Sequence, residues 1–324
     1  MNVTFLGTGS GAPTTKRNVS AIALWFIQRG KWWLFDCGEG TQHQLQHTPL
    51  KLSGLEKVFI THLHGDHLFG LIGLLASRSL RGGALPPIQL FGPPGLAQYV
   101  EAVMSISPVH LQYPLSVQTV EAGTVYQDDT LEVSCAAVSH RIPAFAYALT
   151  EKPAAGVFRS ALAKEAGIPP GPLYGRLKRG ETIRLADGRV FRGEDFVGPA
   201  RPGRKIVYSG DTEPCEALIS LARGADLLIH EATYSQQHLE LAKRSAHSTA
   251  AQAAGIAREA QVGRLILTHF SPRYDDPDAE VRLETLLGEA RDVFPNTWLA
   301  ADFARFEVKR QRLTESPADQ VWTI

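Results

Sequence analysis

Five short apolar runs in this chain stop at a residue that can bind a metal or move a proton. Lys57–Thr61 runs into His62, Leu131–Val138 into His140, Lys205–Ser209 into Asp211, Asp226–Ile229 into His230 and Glu231, and Arg264–Thr268 into His269. Runs of this length, separated by amphipathic stretches, read as strands. Open α/β sheets gather their ligand sites at the C-terminal edges of strands. The pattern therefore restricts the chain to an α/β architecture whose strand ends converge on one centre.

Further runs at Val3–Leu6, Trp32–Phe35 and Ile88–Phe91 read as strands of the same kind. Helical spacing is seen over Thr41–His47, Leu68–Leu80, Gly95–Met104, Glu213–Ala222, Ser248–Ala260 and Asp278–Val293. Several strands are apolar at both parities, so helices must cover both sides of the sheets. With 324 residues, 44% of them hydrophobic, the chain can bury a large core.

His62-Leu-His64-Gly-Asp66-His67 places four ligand-type side chains within six residues. Imidazole and carboxylate without thiolate suit zinc, manganese or another borderline divalent metal such as cobalt. Gly65 is read as permitting a tight turn. His140, Asp211 and His269 bring the ligand set to seven. That exceeds what one catalytic metal with an open position needs, so two metals sharing a carboxylate are expected. Asp211 is the candidate bridge, because it stands alone at its strand edge. His43 and His47 share a helix face without the glutamate of zinc proteases and read as exposed. His110 and His238 have no supporting context. Asp36, in Phe35-Asp-Cys-Gly-Glu39, reads as a hydrogen-bonding structural residue.

The formal net charge is zero, so a nucleic-acid partner must be met by a local basic patch. Residues 151–204 supply one, with eleven Lys/Arg against six Asp/Glu. This Gly/Pro-rich stretch is short of apolar runs and reads as a projecting arm or a mobile loop. It is an insertion in what is otherwise a single domain over 1–324. Cys37, Cys135 and Cys215 are odd in number and widely spaced, which argues against a disulfide framework and a thiolate zinc site. The start MNVTFLGTGSG has no signal-peptide pattern, and the longest apolar stretch, Leu68–Ala76, is too short to span a bilayer. The expectation is a soluble cytoplasmic protein with no organic cofactor; no Gly-rich nucleotide loop or Ser nucleophile elbow occurs. The tail after about Lys309 is polar and reads as peripheral.

The pattern His62-x-His64-x-Asp66-His67 with later His, Asp and His resembles the metallo-β-lactamase superfamily, and within it the ribonuclease Z family of transfer-RNA 3′-processing endonucleases. Four more features carry the narrower resemblance over nearly the whole chain. His230-Glu-Ala-Thr233 is similar to the family's HEAT motif and His247-Ser-Thr249 to its HST motif. Ile168-Pro-Pro-Gly-Pro-Leu-Tyr-Gly-Arg-Leu-Lys-Arg-Gly180 resembles the end of its flexible tRNA-binding arm. Pro13-Thr-Thr-Lys-Arg-Asn18 stands where the family has Pro-x-Lys-x-Arg-Asn, a loop linked to sensing the tRNA 3′ end. Here the lysine falls one position late, at Lys16, with Thr15 in its usual place.

The resemblance implies a four-layer αβ/βα sandwich of two mixed sheets with outer helices and a projecting arm. It implies one metal on His62, His64, His140 and Asp211, and a second on Asp66, His67, Asp211 and His269. It also implies zinc as the usual metal and a homodimer in which one subunit's arm clamps precursor tRNA for the other's site. The chemistry expected is two-metal phosphodiester hydrolysis leaving a tRNA 3′-hydroxyl and a trailer 5′-phosphate. Asp66 would handle the attacking water, and Glu231 with His247 would protonate the leaving oxygen. Substrate contacts are expected from Lys16, Arg17, Ser248, Thr249, Arg176, Lys178 and Arg179. The rival readings are a small-molecule hydrolase of the same fold and an RNA-binding protein with a degenerate metal site.

Overall fold

The computed structural model describes residues 1–80, 85–107, 110–276 and 278–310. The tail from 311 onward, read as peripheral, lies outside them. The chain first lays down β1 (Asn2–Gly7), β2 (Ala21–Phe26), β3 (Lys31–Phe35), β4 (Leu55–Phe59), β5 (Ile88–Gly92) and β6 (Leu115–Thr119). It then starts a second sheet with β7 (Gly123–Gln127), β8 (Leu131–Val138) and β9 (Ala144–Glu151). After a small hairpin of β10 (Ile183–Arg184) and β11 (Val190–Phe191), that sheet is completed by β12 (Lys205–Tyr208), β13 (Leu227–Glu231), β14 (Leu265–Thr268) and β15 (Thr297–Leu299). The last strand, β16 (Arg305–Glu307), returns to pair with β1.

Both sheets have seven strands, in the orders β16-β1-β2-β3-β4-β5-β6 and β15-β14-β13-β12-β9-β8-β7. Each is half antiparallel and half parallel; the parallel halves begin at β3–β4 and at β12–β13. Alternation along the strands builds the layers. Phe59 of β4 and Ile206, Tyr208, Leu227 and Ile229 of β12 and β13 enter the core between the sheets, where Phe35, Phe91 and Tyr147 join them. The opposite parity (Val58 and Ile60; Val207 and Leu228) faces the outer cores. Helices α1 (Thr41–Gln46), α2 (Gly65–Leu68), α3 (Leu71–Ser79) and α4 (Leu96–Ile106) follow strands of the first sheet. Helices α5 (Ser160–Glu165) and α6 (Pro172–Lys178) lie in the insertion; α7 (Glu216–Ala222), α8 (Leu239–Ser245), α9 (Ala250–Glu259) and α10 (Leu283–Val293) belong to the second half. The result is the four-layer αβ/βα sandwich, with each sheet apolar on both faces.

The predicted helix over Leu68–Leu80 is broken into α2 and α3. A Cβ on Gly70 would lie 2.1 Å from the Gly38 carbonyl oxygen, and one on Gly38 would lie 2.3 Å from that of Asp66. These glycines let the two segments meet backbone to backbone, with Cys37 N donating to His67 O and Gly70 N to Cys37 O.

Residues 152–203 carry a small core of their own, in which Ala163, Ile168, Leu177, Ile183 and Phe196 are buried. Glu151 and Arg204 close its base. Arg204 Nη2 and Nε donate to Glu151 at 2.6 and 2.8 Å, and Arg310 Nε adds a bond of 3.1 Å. Burial opposes the Glu151 charge, but these guanidinium groups hold its carboxyl down at about 2, below the ordinary 4.5. A depressed carboxylate stabilises the fold above its unfolded pKa, and that contribution is lost as pH falls through the folded value. We expect Glu151→Gln to cost roughly 2 kcal/mol at neutral pH, with the deficit shrinking between pH 4.5 and 2. Urea titrations at several pH values check this; a deficit independent of pH would assign the effect to packing.

Candidate active site

The site forms beyond the C-terminal ends of β4, β8, β12 and β14. After β4 the chain passes through His62 to an extended His64, and α2 then brings Asp66 and His67 to the same centre. Gly65 opens α2 and has no left-handed φ. The tight-turn reading for it is corrected: a Cβ there would lie 2.3 Å from the Phe69 ring, so the constraint is side-chain room. His140 follows β8, Asp211 follows β12 and His269 follows β14. His269 adopts φ 61°, a left-handed conformation that turns its ring into the centre.

All seven predicted ligand positions come together, in two groups that share Asp211. His62, His64, His140 and Asp211 form one; Asp66, His67, Asp211 and His269 form the other, with ligand atoms within 4.8 Å of one another in each. The donor set fits divalent cations. His62 Nε2 and Asp211 Oδ1 are buried without a hydrogen-bond partner, which is costly unless a further group satisfies them. His67 Nε2 faces His269 Nε2 at 3.2 Å, and His64 Nδ1 faces His140 Nε2 at 3.2 Å. Ring nitrogens converging in pairs are what a shared cation organises. Four of the ligand rings have their other nitrogen anchored: His62 Nδ1 by Thr61, His67 Nδ1 by Asp36, His140 Nδ1 by the Ala246 carbonyl and His269 Nδ1 by Thr233. Outer partners of this kind orient ligand imidazoles.

The electrostatics agree. Burial, with help from His67, pushes His62 down to about 2, so its ring is neutral. Burial opposes ionisation of Asp66 and Asp211, yet the imidazoles around them hold both carboxyls below the ordinary range. Asp66 Oδ2 also accepts from Gly11 N at 2.7 Å, which ties the loop after β1 to this carboxylate.

Glu231 and His247 lie beside the second group. His247 Nδ1 donates to Glu231 Oε1 at 2.7 Å, and Thr212 N donates to the same oxygen at 3.0 Å. Thr233 donates its hydroxyl to Glu231 Oε2 at 2.7 Å and takes the His269 Nδ1 proton at 2.9 Å. Burial works against charge on His247, but Glu231 and then Asp211 push it up to about 9. An imidazole with Nδ1 occupied by a carboxylate and a raised pKa holds a second proton on Nε2 at neutral pH.

The remaining predicted site residues are placed differently. Lys16 is exposed and donates its amine to the Asp275 carbonyl. The Arg17 guanidinium is held by Asp275, Thr8 and Ala300 and lies 5.1 Å from the Phe270 ring. Ser248 and Thr249 are buried, and their hydroxyls are committed within the protein. Ser248 donates to Thr212 O; Thr249 donates to Gln236 and caps α9 through Gln252. Those hydroxyls offer no substrate contact in this arrangement. Arg176 and Arg179 both reach Glu181, at 2.9 and 2.8 Å, and Lys178 beside them is exposed. His43 lies exposed on α1 and His47 exposed just beyond its end, and His238 bonds Ser235 and Tyr274.

Comparison with known proteins now decides the family. A family model described as a beta-lactamase superfamily domain matches residues 196–270, and one described as the anti-Pycsar protein Apyc1 matches 1–150. Ribonuclease Z of Brevibacillus brevis is 62% identical over 312 residues, covering 96% of this chain and 98% of the relative. The chain belongs to the ribonuclease Z family. Ribonuclease Z of Gloeothece citriformis is 53% identical over 96% of this chain and 98% of the relative. The crystal structure of human tRNase Z, short form, superposes with a TM-score of 0.68 at 31% identity, over 95% of this chain and all of that one. The fold is that of the metallo-β-lactamases, and a Bacillus subtilis protein of that fold, YhfI, superposes with a TM-score of 0.65 at 17% identity. Among the described residues no helix is long and apolar enough to cross a membrane. As a ribonuclease Z the chain is a hydrolase whose His/Asp clusters suit a divalent metal site. Reading from residue types assigned no role to Thr233 within the HEAT motif, nor to Gly11 or Asp275 in the loops beside the centre. Their signal lies in register and loop contacts, which a single sequence does not display.

Proposed function

We propose that this protein is a metal-dependent endoribonuclease that removes the 3′ trailer from precursor tRNA, leaving a 3′-hydroxyl on the tRNA and a 5′-phosphate on the trailer. The observation that carries the chemistry is the pair of four-ligand groups sharing Asp211, with the Glu231–His247 pair alongside. Near full-length identity to ribonuclease Z supports the substrate. His62, His64, His140 and Asp211 would hold one ion and Asp66, His67, Asp211 and His269 the other, zinc first, with manganese or cobalt as alternatives of the same ligand preference. When bound, the ions supply Lewis acidity toward the phosphodiester and a nucleophile at neutral pH. Asp66, fixed by Gly11 N–H, is positioned to accept the proton of the attacking water. His247 delivers its Nε2 proton to the leaving 3′-oxygen, and Glu231 keeps that imidazole charged until it does.

The insertion over 151–204 is assigned to tRNA binding. Its cations, Arg176, Lys178 and Arg179 among them, suit phosphates more than bases. We also assign a homodimer and a cytoplasmic location, in keeping with soluble tRNA processing. The deciding assay incubates the purified protein with a 3′-extended precursor tRNA, with and without chelator, and maps the cut. Chelator-sensitive cleavage at the trailer junction supports the reading. Turnover of a lactone or thioester without RNA cleavage would overturn it.

Gly156 and Gly198 provide ends for a deletion, since a Cβ on Gly156 would lie 1.8 Å from the Gly198 carbonyl oxygen. Joining them removes Ala163, Ile168, Leu177, Ile183 and Phe196 together and leaves the main cores untouched. The expected result is a KM for precursor tRNA raised on the order of 10-fold or more, as about 1.4 kcal/mol of phosphate contact is lost. Turnover of bis(p-nitrophenyl) phosphate should be unchanged. Equal loss on both substrates would contradict a separate binding role.

A further inference from the structure

Helix α2 carries Asp66 and His67 and is followed at once by an aromatic residue that the chemistry above does not use. Phe69 is 63% exposed, while Leu68 beside it is buried. Single exposed apolar side chains are ordinary on a protein surface. This one is set apart by how it is held. Three atoms of its ring lie 2.3, 2.6 and 2.7 Å from where a Cβ on Gly65 would stand. The ring fills the space a side chain there would take, against the backbone between His64 and Asp66. Those two residues belong to the first and the second ligand group respectively. Each is one step along the chain from Gly65, about 3.8 Å between Cα atoms.

The mount is rigid. Phe69 N donates to Gly65 O at 2.8 Å. On either side of it, Cys37 N donates to His67 O at 2.8 Å and Gly70 N to Cys37 O at 2.9 Å. Gly70 in turn packs against the Gly38 carbonyl, where a Cβ would have no room. The glycine inside the ligand cluster is thus spent on seating an aromatic ring that faces solvent beside both ligand groups.

A fixed aromatic face next to a phosphodiesterase centre suits a nucleobase. Proteins recognise unpaired RNA bases by stacking them on aromatic side chains. Every base has a π-face, so such a platform tolerates any sequence, as an enzyme that cuts precursors of different tRNAs requires. We propose that Phe69 is a stacking platform for a nucleobase flanking the scissile phosphate: the ring seated on Gly65 takes the base on one side of the cut and so sets the phosphate across the two ligand groups. This rests on the ribonuclease reading above. Phe69 touches the substrate without joining the chemistry, so its loss acts on productive binding and leaves the metal content alone.

The test combines variants with base removal. Wild type, Phe69→Ala, Phe69→Leu and Phe69→Tyr are assayed on a 3′-extended precursor tRNA and on two copies of it, abasic at the nucleotide before or after the cut. Phe69→Ala should lower kcat/KM on the intact precursor by about 5–150-fold, the equivalent of one base–aromatic stack. Phe69→Leu keeps apolar bulk without a π-face and should fall nearly as far. Phe69→Tyr should match wild type. Wild type should show the same loss on one abasic precursor, and Phe69→Ala should lose nothing further on that one; the position that behaves so names the stacked base. Losses that add at both positions, or wild-type rates in Phe69→Leu, overturn the proposal. So does a Phe69→Ala that sheds metal by atomic emission or changes its association state in sedimentation. Wild type that cuts both abasic precursors as fast as the intact one overturns it without any variant. Wild type that cuts none of the three sinks the ribonuclease reading, and the stacking role with it.

Discussion

Asp211→Ala is expected to empty both ligand groups at once. Asp211 is the residue common to the two groups, and its carboxylate lies 3.5 Å from His62 Nε2, 3.2 Å from His67 Nε2 and 3.4 Å from His269 Nε2. His62→Ala removes a ligand from one group only and should leave the second ion in place. A bridging carboxylate has no such partial outcome. Charge stabilisation by metal ions supplies several kcal/mol, and each 1.36 kcal/mol is tenfold in rate. Turnover should therefore fall on the order of 10³-fold or more. Metal content by atomic emission should fall below one ion per chain. The two losses have an independent companion in stability. A ligand at 1,000 times its dissociation constant stabilises the fold by about 4.1 kcal/mol, which in a domain of this size raises Tm by roughly 10 °C. Zinc should produce that rise in wild type and almost none in Asp211→Ala. A variant that keeps two ions per chain would show that Asp211 does not bridge.

The centre was more legible in the sequence than the sheets that carry it, for a physical reason. A strand apolar at both parities, such as Leu227–Ile229, must stop being apolar where it leaves the core, so a ligand at its end stands out from its context. The neighbouring strand carries no such mark. β9 (Ala144–Glu151) is nearly all buried, yet it ends in no ligand and went unread, as did β2. The edges β15 and β16 are three residues each. Arg305 pairs with Thr4, and no local pattern announces a partner at the other end of the chain. Asp36 was visible as a polar residue at a strand end, but Tyr208, which makes it a junction of the two sheets, lies 172 positions away. At Ser248 and Thr249 the ambiguity runs in the other direction. A helix start suits phosphate as well as capping, and the capping box with Gln252 shows only that the Thr249 hydroxyl caps. The break between α2 and α3 depends on Gly38 meeting Gly70, a contact between segments 32 residues apart.

His247→Ala is expected to slow precursor tRNA cleavage by ~10²–10⁴ while both metal ions remain bound. The His247 Nδ1 bond to Glu231 and its pKa of about 9 describe a proton donor. A donor matters in proportion to how poor the leaving group is. The 3′-oxygen of a ribose leaves badly without a proton, whereas p-nitrophenolate leaves well as an anion. The variant should therefore lose kcat on precursor tRNA and keep most of its turnover of bis(p-nitrophenyl) phosphate. The arm deletion also spares the small substrate, but it acts on KM, so the two effects separate. Glu231→Gln should act through His247. The raised imidazolium pKa means the acid form is present below about 9 and lost as pH rises through it. Without the Glu231 charge that alkaline limb moves to lower pH, and kcat at neutral pH falls as the imidazole deprotonates. The pH profile of kcat on precursor tRNA for wild type and Glu231→Gln measures the shift. Should His247→Ala lose bis(p-nitrophenyl) phosphate turnover equally, or shed a metal ion, His247 would instead be a structural support or a ligand of the group it shares with Glu231 and His269.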